Sequence, residues 1–184
     1  MRVLVSYASR HGATKGIAER IAEQLRTAGL TVDALPAGPS IKVAGYDAYV
    51  IGSAAYMGHW MKEARDLVRR NGAILAQKPV WLFSSGPVGN EPVDAKGRDQ
   101  KVAAVPADMA ELRATVNARD HRVFFGAYER DRKPIGLAER LADRLLSVMP
   151  AARNAMPMGD FRDWPEIEGW GAEIARDLNA VTAG

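Results

Sequence analysis

Apolar positions in this chain fall into two alternating patterns: short continuous runs, and longer stretches repeating every three to four residues. Val3, Leu4 and Val5 form a continuous run that ends at Tyr7, as expected of a strand buried on both faces. Ile17, Ile21 and Leu25, flanked by Ala18, Ala22 and Ala28, then recur at helical spacing. Lys15, Glu19, Arg20, Glu23 and Arg26 lie largely on the other faces of that helix, and Gly29 stops it. A second strand is predicted over 31–35, before the breaker-rich connection Pro36-Ala37-Gly38-Pro39-Ser40. A third runs from Asp47 to Gly52, after which a turn is expected over 53–58.

The second half continues the alternation. Met61, Ala64, Leu67, Val68 and Leu75 mark a helix, and Pro79-Val80-Trp81-Leu82-Phe83 a fourth strand. Residues 86–101 are rich in Gly, Pro, Asp and Lys without a period, which predicts a long surface loop. Pro106 opens a helix through Met109, Leu112 and Val116, and 121–126 reads as the fifth strand. A further helix is expected over 135–149. The last helix has a clear start, because Asp163 can cap the N–H of Glu166 and Pro165 suits the first turn. Its buried face is Ile167, Trp170, Ile174, Ala175 and Leu178.

Strand and helix alternating in this way predict an α/β fold: a doubly wound five-stranded parallel sheet with helices on both faces, joined by right-handed crossovers. The expected strand order is 2-1-3-4-5, whose ligand crevice lies beyond the carboxyl ends of strands one and three. A length of 184 residues suits one domain spanning 1–184 with one buried core.

Composition narrows the chemistry. With 47% apolar and 26% charged residues the chain has the balance of an ordinary globular protein. It has no cysteine, so disulfides, thiolate metal sites, cysteine nucleophiles and cysteine-bound clusters are excluded, and redox chemistry requires a bound cofactor. The net charge of +3 is spread among acidic residues rather than gathered in a run, which argues against nucleic acid while leaving a weak pull toward anionic lipid or substrate. No apolar run reaches the roughly 20 residues of a membrane span, and Met1-Arg2-Val3-Leu4-Val5 enters a strand directly, so a cytoplasmic location is expected.

Three loops fall at the crevice. Ser9, Arg10, His11, Gly12, Ala13 and Thr14 offer two hydroxyls, a glycine and backbone N–H groups at a helix start, a cradle for phosphate. The plainer reading is that Ser9 and Thr14 cap the helix while Arg10 and His11 are solvated. Neither Gly-x-x-x-x-Gly-Lys-Ser/Thr nor Gly-x-Gly-x-x-Gly is present, so a monophosphate fits better than a triphosphate or a dinucleotide. Ser53 is followed by Ala54, Ala55, Tyr56, Met57, Gly58, His59 and Trp60, in which Tyr56 or Trp60 can stack on a planar ring. Trp60 can instead anchor the next helix, and His59 is given no catalytic role. Ser84, Ser85, Gly86, Pro87, Val88 and Gly89 can meet a heterocycle's polar edge or form an ordinary glycine-rich turn.

With these loops in place the chain resembles the flavodoxin superfamily, whose phosphate loop Ser/Thr-x-x-Gly-x-Thr is matched by residues 9–14. Within it, Val50-Ile51-Gly52-Ser53 followed by Tyr56-Met57-Gly58-His59-Trp60, together with Asp163-Trp164, is similar to the menaquinone-dependent protoporphyrinogen oxidase branch. The resemblance implies flavin mononucleotide (FMN), with its phosphate on residues 9–14 and its isoalloxazine between residues 54–60 and 84–89. It implies a flavin-dependent oxidoreductase acting on porphyrinogen, a quinone or redox protein as partner, and contact with the inner face of a membrane. That branch also carries an aromatic and basic segment, matched here by Tyr128, Arg130, Arg132 and Lys133 but without further aromatics. An electron carrier or an NAD(P)H:quinone reductase is the neighbouring alternative, although carriers of this superfamily are generally acidic. A cofactor-free interaction domain is a third. A receiver-type signalling module is discounted, because Ser6-Tyr7-Ala8-Ser9 and Gly52-Ser53 stand where its carboxylates would be.

Overall fold

The structure, a computed structural model, describes residues 1–89, 91–93, 96–128 and 158–182. Its strands are β1 (Arg2–Ala8), β2 (Thr31–Pro36), β3 (Ala48–Tyr56), β4 (His59–Trp60), β5 (Val80–Ser85), β6 (Asp120–Phe124), β7 (Ala127–Tyr128) and β8 (Gly159–Asp160). The helices are α1 (Ala13–Thr27), α2 (Lys62–Leu75), α3 (Gln100–Ala103), α4 (Met109–Val116) and α5 (Trp164–Thr182). The parallel strands lie in the order β2-β1-β3-β5-β6, which is the expected 2-1-3-4-5 once the short β4 is set aside. The helix expected over 135–149, and Arg130, Arg132 and Lys133, lie outside the described residues.

The period-two alternation of each strand sorts its side chains into two cores. Val3, Val5 and Tyr7 of β1, with Trp81 and Phe83 of β5, face Ile17, Ile21 and Leu25 of α1 and Ile167, Trp170, Ile174 and Leu178 of α5. Leu4 and Ala8, with Val80 and Leu82, face Ala64, Leu67, Val68 and Leu75 of α2 and Met109, Leu112 and Val116 of α4. Burial on both faces explains why β1 and β5 read as continuous apolar runs. The final helix starts as expected, with Asp163 Oδ1 accepting the N–H of Glu166 at 3.0 Å.

Two elements differ from the sequence reading. β3 does not end at Gly52 but continues to Tyr56, because Ser53 pairs with Ala8 and Ser84, and Ala54 with Ser85. The turn expected over 53–58 shrinks to Met57 and Gly58, both at positive φ (50° and 77°), a two-residue hairpin into β4. The small residues 53–55 belong to the ladder. The loop expected over 86–101 gives way at Gln100 to α3, whose N–H groups at Lys101 and Val102 are capped by the Asp99 side chain.

Gly52 admits a close approach: a Cβ built there would overlap the ring of Phe83. That ring sits 6.1 Å from Phe124 and 6.2 Å from Trp170 in a tilted and edge-on aromatic cluster. Gly52→Ala is therefore expected to destabilise the fold by about 1–3 kcal/mol through overpacking. Adding Phe83→Leu should recover part of that loss, as measured by the urea unfolding midpoint of the single and double variants.

Candidate cofactor site

β1, β3 and β5 run parallel, so their carboxyl ends and the loops that follow meet at one edge of the sheet. In the first loop Gly12 takes φ +87°, where a Cβ would be strained, and the space around that position is open. The Gly12 N–H donates to Ser9 Oγ at 3.1 Å, so Ser9 braces the loop rather than capping α1. α1 begins with no side-chain cap and no acidic residue in its first turn, and Thr14 is buried there. The N–H groups of that turn and the positive end of the helix dipole thus stand at this edge of the sheet, with no acidic side chain in the turn itself.

The β3–β4 hairpin forms the second wall. Tyr56 is 38% exposed, and the Arg10 guanidinium lies over its ring, 5.0 Å from the centroid, which joins the first loop to the second. Met57 at the tip is fully exposed. Trp60 is 1% exposed in the core with α2 and α4, and its burial removes it as a stacking residue and makes it the anchor of the following helix. Tyr56 is left as the aromatic face at the crevice. Beneath the tip, the Ala107 N–H donates to Gly58 O at 2.8 Å. The buried Asp108 carboxylate lies 3.6 Å from both His59 Nδ1 and Arg65 Nη1.

The third loop is divided by burial. Ser84 and Ser85 are buried, and the Ser84 hydroxyl is occupied: Trp60 Nε1–H donates to it at 2.7 Å, and His121 Nε2 lies 2.9 Å away. Ser84 is therefore turned into the core and away from any ligand edge. Gly86, Pro87, Val88 and Gly89 keep partial exposure. The loop is fastened by the Gly86 N–H donating to Phe124 O at 3.3 Å and the Gly126 N–H donating to Pro87 O at 2.8 Å.

His121, Asp108 and Arg162 were not singled out from the sequence. His121 opens the strand 121–126 beside a second polar residue, Arg122, so nothing local marked it as a core histidine. Nothing in spacing marked the other two. An indole can only donate, so the Ser84 oxygen accepts from Trp60, while its pairing with His121 Nε2 takes either direction according to the imidazole tautomer. Burial, with Arg113 adding to it, lowers the His121 pKa from 6.5 to about 4.

Residues 4–142 match the flavodoxin domain family. The chain belongs to that family. Its sheet order agrees with the assignment, and FMN is its cofactor. Among solved structures it is similar to a flavodoxin from the domain Archaea at 17% identity and TM-score 0.59, over 97% of this chain and 99% of that one. It is also similar to oxidised flavodoxin 1 from Bacillus cereus, at 15% identity and TM-score 0.58, over 96% and 98%. A third similarity is to rubredoxin oxygen:oxidoreductase from Desulfovibrio gigas, at 16% identity and TM-score 0.59, covering 100% of this chain but 37% of that one. At these identities the likeness is one of fold. No curated protein matches the chain.

The lowered His121 pKa sets a pH dependence. The unfolded chain binds a proton below 6.5 that the folded chain takes only near 4, so the contribution is present above 6.5 and is lost as pH falls from 6.5 toward 4. The full loss is of the order of 3 kcal/mol. His121→Gln should flatten the stability profile across that window, measured by urea unfolding at a series of pH values.

Proposed function

We propose that this chain is an FMN-dependent oxidoreductase that takes hydrogen from a reduced tetrapyrrole of the protoporphyrinogen IX class and passes electrons to a quinone. The observation that carries this reading is the β3–β4 hairpin. It is pinned from below by Trp60 and by the Gly58–Ala107 hydrogen bond, so it presents Tyr56, Met57 and His59 as a fixed exposed rim beside the phosphate loop. An apolar, aromatic rim suits a large conjugated substrate better than it suits a protein docking through charge. The Gly58-His59-Trp60 likeness to the menaquinone-dependent branch points the same way, as does a net charge of +3 where carriers are generally acidic.

In this reading the N–H groups at the start of α1 hold the phosphate, and Tyr56 covers the isoalloxazine. The half-buried residues 86–89 border its polar edge. Bound FMN supplies the one- and two-electron chemistry. The protein binds and orients, and its folded unit is taken as a single domain over 1–184. The assignment further entails a cytoplasmic protein touching the inner membrane face, where quinone is found. No helix among the described residues is long and apolar enough to cross a membrane.

The purified protein is expected to be yellow and to release FMN on heating. Under anaerobic conditions it should turn over protoporphyrinogen IX with a menaquinone analogue and fail with NAD(P)H. Turnover with NAD(P)H and quinone alone would make it a quinone reductase. Reduction without turnover of any of these substrates would make it an electron carrier, and a colourless protein that binds no added FMN would sink the cofactor assignment. Tyr56→Ala should weaken FMN binding by about tenfold, equivalent to about 1.4 kcal/mol, read by flavin fluorescence titration.

A further inference from the structure

Asp108 stands at the head of α4, where an aspartate ordinarily turns its carboxylate onto the first N–H groups of the helix. Here the side chain makes no capping bond. It is 6% exposed and is turned toward the β3–β4 hairpin: Oδ1 accepts the Trp60 N–H at 3.4 Å, and Oδ2 lies 3.6 Å from both Arg65 Nη1 and His59 Nδ1. Oδ2 is buried and has no hydrogen bond among the described residues. A buried carboxylate oxygen without a donor is costly, so a carboxylate diverted from its own helix to this place needs a reason.

The two neighbours of Oδ2 play different parts. Arg65, carried by α2, answers the charge, so what remains for His59 to supply is a hydrogen bond and not a counter-charge. An ionised carboxylate can only accept, so the imidazole meets it through Nδ1–H. The other tautomer would set the Nδ1 lone pair against those of the oxygen. The separation is about 0.6 Å beyond an ordinary N–H···O bond, and the His59 side chain, 52% exposed, has room to close it. Nε2, across the ring, is then without a proton and is the nitrogen left for a ligand. His59 closes the two-residue hairpin directly opposite Tyr56, and opposed residues of an antiparallel pair put their side chains on one face. The imidazole therefore stands beside the aromatic ring that covers the flavin in the reading above.

We propose that His59 is the proton acceptor of the reaction and that Asp108 is the positioning residue that holds its tautomer. This rests on the oxidation of a reduced tetrapyrrole given under the proposed function. Such an oxidation breaks a C–H bond at a bridging methylene, whose hydrogen leaves with the electron pair for the flavin as oxidant. It also breaks a pyrrole N–H bond, whose electron pair passes into the conjugated system. The second hydrogen leaves as a proton, and His59 Nε2 takes it.

The first test is long-range proton–nitrogen NMR on the FMN-bound protein, with the His59 signals identified by His59→Ala. The neutral imidazole is expected to carry its proton on Nδ1, and Asp108→Asn, whose amide can donate, should move it to Nε2 and lower kcat at least about tenfold. A wild-type imidazole protonated on Nε2 overturns the proposal whatever the substrate, and needs no variant of Asp108 to be seen. The second test is anaerobic turnover of protoporphyrinogen IX. His59→Ala should lower kcat about 100-fold, with KM and FMN affinity each within about twofold, as for loss of a general base. A kcat within about threefold of wild type, or a loss that follows FMN affinity or KM, would show a merely structural rim and overturn the proposal. A wild type that oxidises no tetrapyrrole defeats the functional reading, and the base role falls with it. Wild-type turnover with an indifferent His59 defeats the proposal alone.

Discussion

Everything in this molecule follows from three adjacent strands that are apolar on both faces. β1, β3 and β5 cannot be left open to water on either side, so helices must cover both, and a parallel sheet with a helical layer on each face satisfies that requirement. Parallel direction then brings all three carboxyl ends to one edge. The cofactor site is a by-product of this burial: three loops arrive together because three strands had to be hidden in the same way. The work of the remaining residues is to fix how far apart those loops stand.

That spacing is set by contacts of very different kinds. A cation over an aromatic ring joins the first pair of loops, an indole N–H on a hydroxyl the second, and two backbone hydrogen bonds carry the third to the end of β6. Most of these are sheltered from solvent. Ser84 shows the cost of such an arrangement, for a hydroxyl fully buried against Trp60 and His121 is out of a ligand's reach. A serine at the end of a strand in this fold is therefore as much a rivet as a ligand.

The layers and the strand order were legible in the sequence because each rests on local regularity. Ile17, Ile21 and Leu25 mark a face, and Val3-Leu4-Val5 mark a doubly buried strand. The end of β3 was not legible, since Ser53, Ala54 and Ala55 have the composition of a turn and only pairing with Ala8 and Ser85 makes them strand. Whether Trp60 faced ligand or core was likewise undecidable locally, because a tryptophan suits both. Arg162 meets Ala13 across 149 positions of sequence, and no periodicity reports a contact of that range.

The pairing of β7 with β8 has a bearing on how such a protein changes over time. Ala127 and Tyr128 lie against Asp160 and Gly159, an antiparallel clasp of two residues on each side that brings positions 128 and 159 together. The clasp is tied on one side to the third loop through Gly126 and on the other to the first through Arg162. A segment of different length or character can be spliced between its two arms with the sheet untouched, as a tool is changed in a chuck. The two ends that any such segment must join are thus set by β7 and β8, and not by the segment itself.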